Sequence, residues 1–274
     1  MKNFIDASLV YENIKDKNTV IVDCRGDLFN HEYGINEYVS GHIEGAYYMD
    51  AKDDLSSDQT IHGGRNPLPD LEKLKNKIEA MGISNDTKVV AYDDQKIATA
   101  ARFCWLLRYI GHKNNHILNG GISKWIAAGY PLTKDIPDNK SGSFKIEINN
   151  DIYADMDYLK NNINTEYIID SRTEARYLGK QEPIDFKAGH IPNAVNYYWK
   201  NFLFHDGTVI DIDKLIDFFK EIKNGENVTV YCGSGIDAAF NHMILDEIGI
   251  KSRLYIGSFS DWITYPENSI IGGN

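Results

Sequence analysis

Cysteine is scarce in this chain: Cys24, Cys104 and Cys232 are the only three among 274 residues. They lie far apart and form no C-x-x-C pair, which excludes a zinc knuckle or a dithiol redox motif and fits a reducing compartment. Long apolar runs are missing as well. No stretch approaches the roughly 20 apolar residues of a membrane span, and the opening "MKNFIDASLVYENI" is too polar for a signal peptide. These absences predict a soluble, cytoplasmic protein with no membrane partner. Positive charge is the third deficit: 29 Lys and Arg against 40 Asp and Glu leave a formal net charge of −11. That balance argues against nucleic acid as the main partner. It does not exclude a small anionic substrate, which responds to the local field rather than to the total.

Repetition is what the chain does have. Its length suggests two domains, with ample chain to bury a core without disulfides or metals. "VIVDCRGD" at 20–27 matches "IIDSRTE" at 168–174, and "SGHIEGAYY" at 40–48 matches "AGHIPNAVNYY" at 188–198. "VVAYDDQKIATAARFCWLL" at 89–107 matches "VTVYCGSGIDAAFNHMIL" at 228–245, and "NGGISKWIAAGYPL" at 119–132 matches "IGSFSDWITYPEN" at 256–268. The offsets drift through 147, 148, 139 and 137 in one unbroken order, the mark of duplicated domains with loop insertions and deletions rather than of a solenoid. The polar stretch "LTKDIPDNKSGSFKIEIN" reads as a linker. The expected layout is a domain over 1–135, a linker over 136–149 and a second domain over 150–274.

Each half alternates short β-rich runs with helical patterns. In the second half "EYIIDS", "NVTVYC" and "SRLYIG" read as strands, while "DKLIDFFKEI" and "DAAFNHMILDEIG" read as helices. This alternation predicts an α/β fold with a parallel, helix-flanked β-sheet in each domain. Active groups of such sheets gather beyond the carboxyl ends of the strands, and Cys232 falls at one of them.

"YCGSGIDAAF" then reads as strand, tight turn and helix. Gly233 and Gly235 let the backbone curl, so that amides of residues 233 to 238 (Gly233, Ser234, Gly235, Ile236, Asp237, Ala238) can point inward, with the helix adding its positive end. A cysteine in that ring is favoured as thiolate and can carry a persulfide or face an oxyanion. Cys24 and Cys104 lack such flanks and read as buried structural thiols. Cysteine phosphatases and arsenate reductases need C-x-x-x-x-x-R, whose arginine clamps the oxyanion; here that position is Ala238. Sulfur transfer asks for less.

The tandem halves, "DSR", "AGHIP" and the "CGSG" loop resemble the two-domain rhodanese-like sulfurtransferases, over nearly the whole chain. The resemblance implies two rhodanese-like domains, the first non-catalytic and the second supplying the persulfide cysteine, Cys232. Asp93 stands at the matching position of the first half. "CGSGID" lacks the basic residues of the thiosulfate type and looks closer to the 3-mercaptopyruvate type, with Ser234 as an assisting catalytic residue. Asp237, where that type has threonine, reads as a helix N-cap.

Arg176 matches one substrate-binding arginine of the family, a side chain whose planar fork suits a carboxylate. The second arginine, expected between Gly179 and Gly189, has no counterpart; "EPIDFKAG" offers only Lys187. The relay histidine of the mercaptopyruvate type is replaced by Asn66, which leaves His62 as the alternative relay, with Asp50, Asp53 and Asp54 as candidate aspartates. Arg65 in the same loop is a candidate anion binder. His42, His190, Asp23, Arg25, Asp170 and Arg172 recur in both halves and so read as structural, as do Trp125 and Trp262.

The expected reaction moves a sulfane sulfur from a small anionic donor, 3-mercaptopyruvate or thiosulfate, to a thiol, cyanide or protein-cysteine acceptor. No metal or organic cofactor is implied. The alternative is a sulfur carrier or binding module with little turnover.

Overall fold

A computed structural model of the chain describes residues 1–223 and 225–272. They divide into two compact units. The first comprises residues 1–57, 69–149 and 203–209; the second comprises 58–68, 150–202 and 210–272. This differs in three ways from a single cut flanked by a linker, the first being that residues 203–209 belong to the first unit. Segment 58–68, which carries His62, Arg65 and Asn66, belongs to the second unit. Residues 136–149 belong to the first, where Lys140 and Gly142 donate to the carbonyls of Ala80 and Glu79 at 2.8 and 2.7 Å, and Glu147 and Asn149 to those of Ile110 and Tyr109 at 2.9 and 2.8 Å. Backbone pairing of this kind, with Phe144 buried beside it, makes the polar stretch part of the domain.

Each unit is built on a five-stranded, all-parallel sheet. In the first, β1 (Phe4–Ile5), β2 (Thr19–Asp23), β3 (Tyr47–Tyr48), β4 (Lys88–Tyr92) and β5 (Asn115–Leu118) lie in the order β1-β5-β4-β2-β3. In the second, β6 (Tyr153–Ala154), β7 (Tyr167–Asp170), β8 (Ala194–Asn196), β9 (Val228–Tyr231) and β10 (Arg253–Tyr255) repeat it as β6-β10-β9-β7-β8. The central strands are short β-branched runs because helices cover both faces and leave no polar side to alternate with. The helices that follow β4 and β9, Thr99–Tyr109 and Asp237–Glu247, are buried along most of their length, which explains their all-round apolar character. Trp125 and Trp262 anchor the two cores, and their ring N–H groups donate to Pro131 and Ser269 carbonyls, each at 2.9 Å.

The recurring motifs occupy equivalent places in the two units. Arg25 donates to Asp23 at 2.6 Å and to the Gly41 carbonyl at 2.7 Å; Arg172 donates to Asp170 at 2.6 Å and to the Gly189 carbonyl at 2.6 Å. Both pairs tie the end of a central strand to the loop before the next one. His42 and His190 bond through Nδ1 to the carbonyls of Tyr38 and Tyr177 and stack on the same tyrosine rings.

Asp93 follows β4 as Cys232 follows β9, but its carboxylate fills its own loop, accepting from the N–H groups of Gln95 at 3.0 Å and Ala100 at 2.9 Å. Burial pushes this carboxyl up to about 7, against the pull of those two N–H groups. The folded chain therefore holds the proton more tightly than the unfolded chain, whose ordinary carboxyl loses it near 3.8. Stability from this residue is fully present at low pH and declines as pH rises between those two values, by about 4 kcal/mol in total. Unfolding free energies of the native chain and Asp93→Asn, measured from about pH 4 to about pH 8, should converge or cross in that sense. A constant difference between the two would contradict it.

Candidate active site

Register places Cys232 at the carboxyl end of the second sheet. β9 pairs with β7 from Tyr167↔Val228 to Asp170↔Tyr231, so Cys232 is the first residue past the ladder, beside Ser171, whose N–H donates to the Tyr231 carbonyl at 2.8 Å. The loop turns at Gly235, whose φ of +79° is open to glycine at little cost. That turn aims the Gly235 N–H at Cys232 Sγ, 3.1 Å away. The cysteine is 1% exposed.

Gly233 is there for a different reason from the one the sequence suggested. Its φ is not positive. A Cβ at this position would lie 2.7 Å from Arg65 Nη2 and 3.3 and 3.4 Å from the two terminal nitrogens of Arg176. Both guanidinium groups thus rest directly on the cysteine loop, and a side chain at this position would push against them. Asp237 also departs from expectation. The helix begins with it, and Ile236 holds the N-cap position. Asp237 therefore sits in the first turn, where a carboxylate still suits the helix dipole. Ala238 is fully buried within that turn.

Ser234 is met by Asn66, whose Nδ2 donates to Ser234 Oγ at 2.7 Å. A hydroxyl that accepts in this way keeps its own hydrogen for another partner. His62 is not at the serine. Its Nδ1 bonds to Thr264 Oγ1 at 2.8 Å and its ring stacks on Tyr265, 4.1 Å between centroids. Asp50, Asp53 and Asp54 belong to the first unit, where Asp50 accepts from the N–H groups of Lys52 and Asp53 and Asp54 pairs with Lys77.

Two carboxylates that the sequence reading passed over control the arginines. Arg176 Nε donates to both oxygens of Glu182, at 3.1 and 2.9 Å, and its Nη2 donates to Asp185 Oδ2 at 2.8 Å. The other oxygen of Asp185 takes a close ion pair from Arg65 Nη1. Glu182 also accepts from Arg172 at 3.3 Å. The side chains of Glu182 and Asp185 are each 3% exposed. Burial, and then the neighbouring Arg176, pull the Arg65 guanidinium down to about 10, so it is protonated at neutral pH; Cys232 and Glu182 pull the other way. Lys187 lies over the Phe186 ring.

The turn after β10 knits these parts together, and it too escaped the sequence reading. Ser258 Oγ accepts from the Cys232 N–H at 3.1 Å, while the N–H groups of Phe259 and Ser260 donate to the carbonyls of Cys232 and Gly233, each at 3.0 Å. Ser260 Oγ accepts from the Arg65 N–H at 3.0 Å and Asp261 from the Gly63 N–H at 2.7 Å. One turn therefore holds both the cysteine loop and the arginine segment. A signal was available in the repeat: Ser258 takes φ +56° where the first half has Gly121 at +58°. A serine held in a conformation that the other half gives to glycine marks a constrained site. Among the described residues, no group of His, Cys, Asp and Glu side chains is arranged to hold a metal ion, and no helix is long and apolar enough to cross a membrane.

Comparison with known proteins agrees with this architecture. The rhodanese-like domain family matches twice, over residues 6–128 and 155–265. A Pseudomonas aeruginosa protein named as a probable 3-mercaptopyruvate sulfurtransferase is 34% identical over 278 residues, covering 98% of each chain. A thiosulfate sulfurtransferase of the same organism is 28% identical, covering 85% of this chain and 86% of its own. The crystal structure of SseA from Escherichia coli, a 3-mercaptopyruvate enzyme of the rhodanese fold, superposes with a TM-score of 0.83 at 27% identity, covering 95% of this chain and all of that one. The chain belongs to the two-domain rhodanese-like sulfurtransferases.

Proposed function

We propose that this chain moves a sulfane sulfur from thiosulfate or 3-mercaptopyruvate to a thiol, cyanide or protein-cysteine acceptor through a persulfide on Cys232. The observation that carries the reading is the Gly235 N–H held 3.1 Å from Cys232 Sγ, beneath two guanidinium groups that rest on Gly233. With thiosulfate, the Cys232 thiolate attacks the outer sulfur, the S–S bond breaks and sulfite leaves with the bonding pair. With 3-mercaptopyruvate the C–S bond breaks instead, the bonding pair stays on carbon and the thiol proton ends there, giving pyruvate. Both routes leave Cys232 as an anionic persulfide. The acceptor then takes the outer sulfur, and the S–S pair returns to Cys232. Arg176 and Arg65 orient the anionic end of the donor, and the loop amides hold the charge on sulfur. The first unit, with Asp93 in place of the nucleophile, is non-catalytic.

Ser234 would assist the proton transfer to carbon that only 3-mercaptopyruvate requires, with Asn66 fixing its hydroxyl. Asn66→Ala should then lower kcat with 3-mercaptopyruvate by about tenfold, less than the about 10²- to 10⁴-fold of a proton-transfer group itself because Asn66 only positions one, and leave kcat with thiosulfate within about twofold. Equal losses with the two donors would contradict this role. Thiocyanate formation from cyanide, assayed with each donor, tests the function as a whole. Turnover with either donor supports it. Sulfur bound on Cys232 without turnover points to a carrier, and hydrolysis of a phosphate ester contradicts both.

A further inference from the structure

Asp185 does what the anionic end of a donor would do. It bridges Arg65 and Arg176 with one oxygen each, and it is buried while doing so. With Glu182 and Asp170 it makes three carboxylates paired with the three guanidinium groups of Arg65, Arg172 and Arg176, so these arginines have no formal charge to spare for a dianion. A second observation points the same way. A cavity of about 250 Å3 in the second unit is bordered by Arg65 and Asp185 and walled by Ile61, Ile184 and Phe186, with Ile61 and Phe186 largely exposed. Cys232 is not among its lining residues, whereas Arg65 borders both this cavity and Gly233. The walls suit an apolar or uncharged body, and the charged floor is already paired. Arg65 Nε is buried without a hydrogen-bond partner, so the guanidinium retains one donor that Asp185 does not use.

We propose that Asp185 is a specificity-determining residue, an internal carboxylate seated on the two donor-binding arginines, which weakens the binding of donors with an anionic end relative to persulfides that carry no charge beyond their sulfur. The inference rests on the sulfur-transfer reading above. An anionic donor must displace Asp185 before it can bind both arginines. A small organic persulfide need not: the Cys232 thiolate attacks its outer sulfur, the S–S bond breaks, the organic thiolate leaves, and no oxidant or reductant is consumed.

The test compares Asp185→Asn with the native chain on thiosulfate, 3-mercaptopyruvate and the persulfide of 2-mercaptoethanol. The substitution removes the charge and keeps the shape. KM for thiosulfate and 3-mercaptopyruvate should fall by about tenfold, equivalent to about 1.4 kcal/mol, while KM for the persulfide of 2-mercaptoethanol, which has no carboxylate or sulfonate end, stays within about twofold. Titration calorimetry of thiosulfate against Cys232→Ser, with and without Asp185→Asn, reads the same gain without turnover, and a thermal melt confirms that both variants are folded. Unchanged or weaker binding of thiosulfate on loss of the charge overturns the proposal, as does an equal fall in KM for all three donors. Failure of the sulfur-transfer reading looks different: the native chain would then load no cyanide-labile sulfur from any donor, and the proposal would fall with it.

Discussion

Cys232→Ser should lower thiocyanate formation by a thousandfold or more with every donor, on the order expected when a covalent nucleophile is removed. The substitution alters one atom, and a serine hydroxyl at neutral pH is neither ionised nor able to hold a transferable sulfur. The Gly235 N–H that points at Sγ can still donate to the serine oxygen, so the loop should keep its shape. The unfolding midpoint should move by no more than about 1 kcal/mol in equivalent stability, because the change is nearly isosteric. Cys24→Ser and Cys104→Ser are the controls. Burial pushes the Cys24 thiol well up and the Cys104 thiol to about 12, which keeps both protonated and inert. Neither substitution should reduce sulfur transfer once corrected for the folded fraction. Substantial residual activity in Cys232→Ser would remove this cysteine from the mechanism.

Arg172→Ala should produce the largest loss of stability. Arg172 is fully buried, donates to Asp170, to Glu182 and to the Gly189 carbonyl, and packs 4.0 Å from the Phe259 ring centroid. Removing it strands the Asp170 carboxylate, whose side chain is 0% exposed. Breaking a buried pair on one side costs about 3–5 kcal/mol, most of it the desolvated charge left behind. Denaturant unfolding of the variant checks this, and Arg172→Ala with Asp170→Asn should recover part of the loss. Activity should fall as well in whatever fraction remains folded, because Glu182 loses the partner that steadies it against Arg176. A loss below about 1 kcal/mol, the level of a surface pair, would show that the charges are not buried as described.

How much of this was legible in the sequence depends on the range of the interaction. The duplicated strands and the position of Cys232 past β9 followed from β-branched runs, glycine and drifting offsets, all local signals. The structural role of Asp23, Arg25, Asp170 and Arg172 was legible because both halves carry them. The site's charge balance was not. Residues 179–189 hold no arginine, and "EPIDFKAG" offers only Lys187 as a cation, while Glu182 and Asp185 stand in the same stretch. Which carboxylate meets which guanidinium is set by tertiary approach, and a run such as "QEPIDFK" reads equally well as a solvated loop. The same applies to segment 58–68: its sequence lies in the first half, and its tertiary bonds, among them those of Gly63 and Arg65 to Asp261 and Ser260, go with the second unit. Asn66 was noticed as a departure from the family, but its partner, Ser234, is 168 residues away.

The central claim, that Cys232 carries the travelling sulfur, is tested most directly by mass. The native chain is incubated with thiosulfate, freed of small molecules, digested without reductant and analysed by peptide mass spectrometry. One added sulfur atom is expected on the peptide containing Cys232, none on those containing Cys24 or Cys104, and complete loss of that sulfur on brief exposure to cyanide. An unmodified Cys232 under conditions in which the chain turns over, or an added sulfur on either other cysteine, would contradict it.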